Sequence, residues 1–135
     1  MTVAIASIAL DSIRRHVDDG GAEEVCGLLL GAPGRVERAV AARNVAADRH
    51  RRFEVDPATL LATHREARAA GTAVVGCYHS HPGGRAEPSP IDAAAAADQP
   101  GWLWLIAAGG EIGAFIVRAG GAVVGRFDRV AWAIA

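Results

Sequence analysis

Lysine is absent from this 135-residue sequence, and all 14 of its basic residues are arginine. The chain therefore offers no side-chain amine for isopeptide conjugation, which leaves only its N-terminus. Net charge is also small, because the formal charge is −1 and the pI is near 6.5. A chain with this charge has no overall positive electrostatic potential that would attract nucleic acid or an anionic membrane, so we expect neither as a partner.

Long apolar runs and cysteines are scarce as well. No segment reaches the ~18 to 20 unbroken apolar residues of a membrane span, and the apolar start MTVAIASIAL lacks the positive segment of a signal peptide. Cys26 and Cys77, the only cysteines, each lie in an apolar run. This placement indicates two buried, reduced thiols rather than a disulfide framework. We therefore expect a soluble, cytoplasmic protein.

What the sequence does contain is enough apolar material for a core, since 51% of its residues are hydrophobic. No internal repeat or linker divides it, and we expect one domain over residues 1–135. An amphipathic helix is predicted over residues 7–17, a second after the N-cap Asp56 with Pro57 at its first position, and a third from Ser89 to about Asp98. Short apolar runs predict the strands EVCGLLLG, VERAVAARNV, TAVVGCYH, WLWLIAA, EIGAFIVR and AVVGRFDRVAW. The sum is a mixed α/β domain with a mostly antiparallel sheet and about three helices.

Residues 78–92, YHSHPGGRAEPSPID, contain candidate metal ligands at a short spacing. In an extended strand, residues two apart point to the same side, so His79 and His81 can face one point. Asp92, at the third position of the following helix, can return a carboxylate to that point. Two imidazoles and one carboxylate form a ligand set that catalytic zinc uses, with a fourth position for water. Each part alone has an ordinary explanation, because H-x-H is often a polar loop and Ser89-x-x-Asp92 resembles an acidic capping box.

Taken together, the pattern is far less ordinary. His-Ser-His-Pro, seven residues between His81 and Ser89, and then Ser-x-x-Asp resemble the signature of the JAMM metalloproteases, the catalytic (MPN-plus) form of the MPN domain. That family also has a glutamate ahead of a Cys-Gly-aliphatic strand, and EEVCGLLLG supplies Glu24 two residues before Cys26. The resemblance extends over nearly the whole chain and implies a single MPN-type α/β domain.

The resemblance also implies a role for each residue of the motif. It implies one zinc ion per chain, with His79, His81 and Asp92 as ligands. It implies Glu24 as the general acid/base and Ser89 as the hydroxyl that hydrogen-bonds the developing oxyanion. The chemistry of these groups is compatible with those roles, and Ser89 can cap its helix at the same time.

Three neighbouring residues have competing interpretations. Glu23 is the competitor of Glu24, but strand alternation prevents both from facing the metal, and the family spacing selects Glu24. Ser80, between the two histidines, is interpreted as a loop or supporting hydroxyl. Cys26 is interpreted as a packed thiol, because three ligands and water already fill a tetrahedron.

The residues alone indicate a zinc-dependent amide hydrolase. The resemblance implies cleavage of a peptide or isopeptide bond after the C-terminal Gly-Gly of ubiquitin or a ubiquitin-like protein. The short chain is similar to the prokaryotic branch that trims or releases adducts from sulfur-carrier proteins. Two alternatives stay open: a general metallopeptidase, and a non-catalytic MPN scaffold that has lost its metal, although the intact motif disfavours the scaffold.

Overall fold

The structure is a computed structural model that describes residues 1–135, and it contains seven strands and three helices. The strands are β1 (Thr2–Ile5), β2 (Cys26–Ala32), β3 (Arg35–Ala42), β4 (Ala73–Ser80), β5 (Leu103–Ala108), β6 (Glu111–Val117) and β7 (Phe127–Ile134). The helices are α1 (Ser7–Asp19), α2 (Pro57–Ala69) and α3 (Pro90–Ala95). The predicted α/β fold with about three helices is confirmed.

All seven strands belong to one sheet that closes on itself in the order β1-β3-β2-β4-β5-β6-β7. Four neighbouring pairs are antiparallel, namely β2 with β3, β2 with β4, β5 with β6, and β6 with β7. The other three pairs are parallel, and two of them involve β1. The mixed, mostly antiparallel sheet is therefore confirmed, with a larger parallel share than the sequence pattern suggests.

Three boundaries differ from the sequence-based expectation. No strand is predicted at the N-terminus, yet β1 forms there because β3 and β7 flank it on either side. α3 ends at Ala95 rather than near Asp98, and the chain then turns towards Gly101, whose φ is +82°. β7 begins at Phe127, because the preceding residues form a turn in which Val124 has a φ of +45°.

The starts of α2 and α3 agree with their predicted caps. The Asp56 carboxylate accepts a hydrogen bond from the backbone N–H of Thr59 at 3.3 Å, and Pro57 is the first residue of α2. Ser89 is the N-cap of α3. No helix combines the length and the apolar character that a membrane crossing requires.

The core consists of two apolar clusters on opposite faces of the sheet. α1 covers one face with Ala9, Leu10 and Ile13, which pack in a cluster that includes Tyr78. The other face carries a second cluster of buried side chains: Leu28, Cys77, Ala96, Trp104, Ile106, Phe115, Val117 and Phe127. Because neighbouring residues of a strand point to opposite faces, His79 lies on the same face as Cys77, over the second cluster.

β4 carries His79 to the site from the middle of the sheet and ends one residue before His81. It lies between β2 and β5, and His79 is paired with Cys26 on one side and with Ile106 on the other. Glycine at position 76 permits the close approach of β4 and β5, since an added Cβ would overlap the carbonyl oxygen of Leu103. The end of β4 is therefore held rigidly by two neighbouring strands.

Candidate metal centre

Three side chains converge where β4 ends beside the start of α3. The Nε2 atom of His79 lies 3.0 Å from Nε2 of His81 and 3.3 Å from Oδ2 of Asp92. The Nε2 atom of His81 lies 3.1 Å from the same oxygen. Around a tetrahedral zinc ion with bonds of about 2.0 to 2.1 Å, neighbouring ligand atoms are about 3.3 Å apart. The three atoms are thus spaced like ligands of a single metal ion.

His79 is fully buried within a group of aromatic rings. Its imidazole stacks on Phe53 with a centroid distance of 4.3 Å, and Trp104 approaches it edge-on at 5.4 Å. Burial lowers the pKa of His79 below its ordinary value, although the nearby Asp92 carboxylate acts in the opposite direction. His79 is therefore held as a neutral imidazole, which is the form that binds a metal.

His81 is oriented by the loop that follows it. Its Nδ1 atom lies 2.8 Å from the backbone carbonyl oxygen of Arg85. With a proton on Nδ1, the imidazole donates to this carbonyl and places Nε2 on the side of His79 and Asp92. Burial acts against a charge on His81, but the hydrogen bonds to Asp92 and to the Arg85 carbonyl outweigh it and raise its pKa. A proton and a metal ion would therefore compete for Nε2.

Asp92 is buried and is positioned by the first turn of α3. Its carboxylate accepts a hydrogen bond from the backbone N–H of Ser89 at 3.0 Å, as part of a capping box. Burial acts against its negative charge, but hydrogen bonds from His79 and His81 dominate and hold the pKa of this carboxyl well below its usual range. The site therefore contains one ionised carboxylate beside two imidazoles.

Glu24 lies just before β2 and is buried, with 6% of its surface exposed. One carboxylate oxygen approaches the His79 and His81 nitrogens so that all three ligand atoms lie within 4.8 Å of one another. Its Oε1 atom is buried without a hydrogen-bond partner in the protein. Burial raises the pKa of Glu24 from 4.5 to about 7, against the opposing effect of His81 and with a further contribution from Asp92. A carboxyl with such a pKa can accept and return a proton near neutral pH.

Glu23, the competitor of Glu24, points towards the surface. Its carboxylate accepts hydrogen bonds from Nε of Arg49 at 3.3 Å, in a solvent-exposed ion pair. It belongs to no group of residues that could hold a metal. The structure thus places one of the two adjacent glutamates in the site and the other outside it.

Ser89 is joined to the site through Asp92. The backbone N–H of Asp92 donates to the Ser89 hydroxyl oxygen at 3.1 Å, so the hydroxyl hydrogen of Ser89 is free to be donated elsewhere. This hydroxyl forms a hydrogen bond with Asp92 and none with Glu24 or the histidines.

Three side chains of this region were not identified from the sequence: Asn44, Phe53 and Trp104. Asn44 follows β3, and its amide donates to the backbone carbonyl of Glu24 at 2.9 Å. An asparagine at the end of a strand is a common sign of a side chain that binds loop backbone, but its partner is distant in sequence. Phe53 and Trp104 lie in apolar or arginine-rich runs whose pattern does not indicate a neighbouring histidine.

An apolar groove of about 960 Å³ flanks the centre. It lies between the segment 46–57 and α3, with Leu28, Cys77 and Trp104 among its lining residues. Asp92 also lines it, but Glu24 and the two histidines do not. The groove therefore borders the ligand triangle on one side and does not open directly onto Glu24.

The donor set fits zinc. Two imidazole nitrogens and one carboxylate are a recurrent protein ligand set of catalytic zinc sites. The ionised Asp92 and the neutral His79 are already in the protonation states that ligation requires. The buried carboxylate of Glu24 lies beside the two histidines, and its Oε1 atom has no partner in the protein and can accept a hydrogen bond.

Comparison with known proteins identifies the family of this chain. Residues 7–119 match the family of prokaryotic homologs of the JAB domain. The desampylase of Haloferax volcanii is 36% identical over 110 residues, which cover 77% of this chain and 78% of that protein.

Solved structures show the same fold. A protein from Salinibacter ruber superposes with a TM-score of 0.72 at 31% identity, over 98% of this chain and 92% of that chain. A protein from Desulfitobacterium hafniense has a TM-score of 0.83 at 23% identity and covers 99% and 93% of the two chains. A JAB1/MPN domain protein from Archaeoglobus fulgidus has a TM-score of 0.62 at 15% identity, with 98% of each chain covered. The expected JAMM resemblance is confirmed, and this chain belongs to the family of prokaryotic JAB domain proteins.

Proposed function

We propose that this protein is a zinc-dependent hydrolase that cleaves a peptide or isopeptide bond after the C-terminal Gly-Gly of a ubiquitin-like or sulfur-carrier protein. The observation that carries the proposal is the position of Glu24, whose buried carboxylate lies beside the histidine pair and keeps one oxygen without a hydrogen-bond partner. The similarity to a relative named desampylase supports a hydrolase of the isopeptidase type.

His79, His81 and Asp92 would hold one zinc ion per chain. When bound, zinc supplies a Lewis acid that polarises the substrate carbonyl and makes water more acidic. The three residues fix the centre rigidly, because His79 lies on a strand held on both sides, the backbone N–H of His81 just after that strand donates to Ala107, and Asp92 lies in the first turn of a capped helix. Loss of any one of them leaves an incomplete ligand set.

Glu24 would act as the general acid/base. With a pKa of about 7, its carboxylate can take a proton from the attacking water and then deliver it to the leaving amine. Glu23 cannot substitute for it, because its carboxylate is engaged with Arg49 at the surface.

Ser89 would donate its hydroxyl hydrogen to the oxygen that becomes negative in the tetrahedral intermediate. The hydrogen bond from the Asp92 N–H fixes the position of the hydroxyl oxygen and leaves its hydrogen available. A donor fixed in advance stabilises the transition state without reorganisation.

The depth of the centre favours a narrow substrate. Glu24 and His79 are both buried, so a polypeptide must bring its backbone close to them. Glycine allows that approach because it has no side chain to clash. A flexible tail that ends in Gly-Gly, extended by residues or by an amine-linked adduct, meets this requirement.

We place the reaction in the cytoplasm. Cys26 and Cys77 are buried free thiols, and burial raises the pKa of the Cys26 thiol to about 12. Unpaired thiols of this kind are compatible with a reducing compartment.

The test uses a ubiquitin-like carrier with a short C-terminal extension beside an otherwise identical carrier in which Gly-Gly is changed to Ala-Ala. Intact mass is followed during incubation with the zinc-loaded protein. We expect cleavage immediately after Gly-Gly and its loss in the Ala-Ala form. Equal cleavage of both forms would replace the proposal with a general metallopeptidase, and cleavage of neither by a protein that binds no zinc would favour the scaffold.

A further inference from the structure

Two side chains hold the peptide group that joins Glu24 to Val25. The side-chain amide of Asn44 donates from Nδ2 to the carbonyl oxygen of Glu24 at 2.9 Å. On the opposite side of the same peptide, the N–H of Val25 donates to the hydroxyl oxygen of Ser80 at 3.0 Å. Both polar groups of this peptide are therefore bonded to side chains rather than to a neighbouring strand.

This arrangement restricts the direction of the Glu24 side chain. A peptide group is planar, so fixing both its C=O and its N–H fixes the whole plane. The plane sets the rotation about the bond between Cα and the carbonyl carbon of Glu24, which decides where Cβ points. Glu24 lies two residues before Cys26, the first residue of β2. At this position side chains, rather than strand pairing, orient the peptide group that follows Glu24.

Asn44 is itself held on every side. Its Nδ2 also donates to the carbonyl oxygen of Arg52 at 3.0 Å. Its Oδ1 accepts from the N–H of Ala46 at 3.0 Å and from the N–H of Glu54 at 3.1 Å. The two donors and two acceptor sites of the Asn44 side-chain amide are thus all used, so these four hydrogen bonds hold the amide in place against Glu24.

Ser80 is equally constrained. It is buried, with 4% of its surface exposed, and it lies between His79 and His81. Its own backbone N–H donates to the carbonyl oxygen of Val25 at 3.1 Å. The residue between the two candidate ligands, which is the last residue of β4, therefore connects this strand to the segment that carries Glu24.

We infer that Asn44 and Ser80 are positioning residues that orient Glu24 through the Glu24–Val25 peptide. The inference rests on the proposed function of Glu24 as general acid/base. Neither residue touches the reacting atoms, and each acts only by fixing where the Glu24 carboxylate lies.

The first test measures turnover of the extended Gly-Gly carrier by Asn44→Ala and Asn44→Asp. The aspartate keeps the two hydrogen bonds that Oδ1 accepts and replaces the donor Nδ2 by an oxygen that repels the carbonyl oxygens of Glu24 and Arg52, so it displaces the Glu24–Val25 peptide and provides a second variant if the alanine variant does not fold. We expect kcat to fall by about 10- to 100-fold, as for a small misplacement of a catalytic group. KM and the zinc content should stay at wild-type values, because the ligands are untouched.

Asp56→Ala is the matched control. Asp56 and Asn44 both lie in the connection between β3 and α2, and Asp56 caps α2. Loss of the Asp56 side chain therefore lowers the stability of the protein without removing a hydrogen bond to Glu24. We expect kcat of this variant per zinc-loaded chain to equal the wild-type value. A kcat loss in Asp56→Ala as large as that in Asn44→Asp would overturn the inference, since general destabilisation would then explain both.

Combination with Glu24→Gln separates positioning from other effects. If Asn44 acts only through Glu24, adding Asn44→Asp to Glu24→Gln should lower the residual turnover no further. Full additivity of the two losses would contradict the inference. For Ser80, the threonine variant retains the hydroxyl and should keep most of the turnover that the alanine variant loses.

Amide hydrogen exchange measures how firmly the Glu24–Val25 peptide is held, and it requires neither substrate nor metal. The N–H of Glu24 donates to the carbonyl oxygen of Arg49 at 2.8 Å, and that of Val25 to Ser80. In Asn44→Asp we expect both amides to exchange at least about 10-fold faster, while they stay protected in Asp56→Ala. Unchanged protection in Asn44→Asp would overturn the inference. If the amides lose protection in Asn44→Asp but the wild type does not cleave the carrier, the role of Asn44 in holding the Glu24–Val25 peptide is upheld and the proposed function fails.

Discussion

Ser89 and Asp92 hold each other by two reciprocal hydrogen bonds, one from the Ser89 N–H to the Asp92 carboxylate at 3.0 Å and one from the Asp92 N–H to the Ser89 hydroxyl at 3.1 Å. The same carboxylate oxygen lies 3.1 Å from Nε2 of His81. One local motif therefore begins a helix and aims a candidate metal ligand. Stability and activity are coupled at this point, and substitutions here affect both.

Ser89→Ala should lower both the stability and the turnover of the protein. Loss of the cap is expected to reduce the free energy of unfolding by about 1 kcal/mol. Loss of an oxyanion donor is expected to reduce kcat by ~10² to 10³. Urea denaturation and carrier cleavage measure the two effects, with Ser89→Thr as the variant that keeps the hydroxyl. Wild-type turnover in a less stable alanine variant would leave the cap as the only role of Ser89.

His81→Ala should abolish zinc binding at stoichiometric concentrations and, with it, cleavage. Two protein ligands remain in this variant, and they hold the metal weakly. Metal analysis after gel filtration provides the measurement. His64→Ala is the control, since His64 lies on the exposed side of α2 and should retain one zinc per chain. Retention of zinc and activity by the His81 variant would remove His81 from the site.

Glu24→Gln should keep zinc and lose turnover by ~10² to 10⁴, because the amide preserves shape and cannot accept a proton. Glu23→Gln, which disrupts only the exposed pair with Arg49, should retain wild-type turnover. Cleavage assays on both variants, normalised to zinc content, make the comparison. An inactive Glu23 variant beside an active Glu24 variant would reverse the assignment.

The zinc-free protein should become less stable as the pH rises through the range set by Glu24. Its pKa is about 7 in the folded chain against 4.5 as the ordinary value, so the folded state binds the proton more tightly. The stability that this provides is present below pH 4.5 and is lost as the pH rises through about 7. Glutamine at this position carries no charge at any pH. Urea denaturation with a chelator should show Glu24→Gln gaining about 2.5 kcal/mol over the wild type between pH 5 and pH 8. An equal difference at both pH values would contradict the raised pKa.

The ligand triangle could be anticipated from the sequence because its geometry is local. His79, His81 and Asp92 lie within a short segment, and strand alternation with one helical turn is enough to bring them together. Their roles as zinc ligands, like that of Ser89 as oxyanion donor, stay predictions until metal and turnover are measured.

The surroundings of Glu24 could not be anticipated in this way. Local pattern treats Glu23 and Glu24 alike, and what separates them is an ion pair with Arg49 at the surface and burial against β4. The bond from Asn44 to Glu24 likewise joins residues on different segments. β1 was not predicted from the sequence for a related reason, since it pairs with β7 at the other end of the chain.

The central claim is that one zinc ion held by His79, His81 and Asp92 enables cleavage with Glu24 as the base. The most direct measurement adds zinc stepwise to chelator-treated protein and follows the rate of cleavage of the extended Gly-Gly carrier. We predict no cleavage without zinc, a linear rise to a break at one zinc per chain, and no rise for Glu24→Gln, although it binds the same single ion. Full activity in the metal-free protein, or equal activity of Glu24→Gln at the break, would contradict the account.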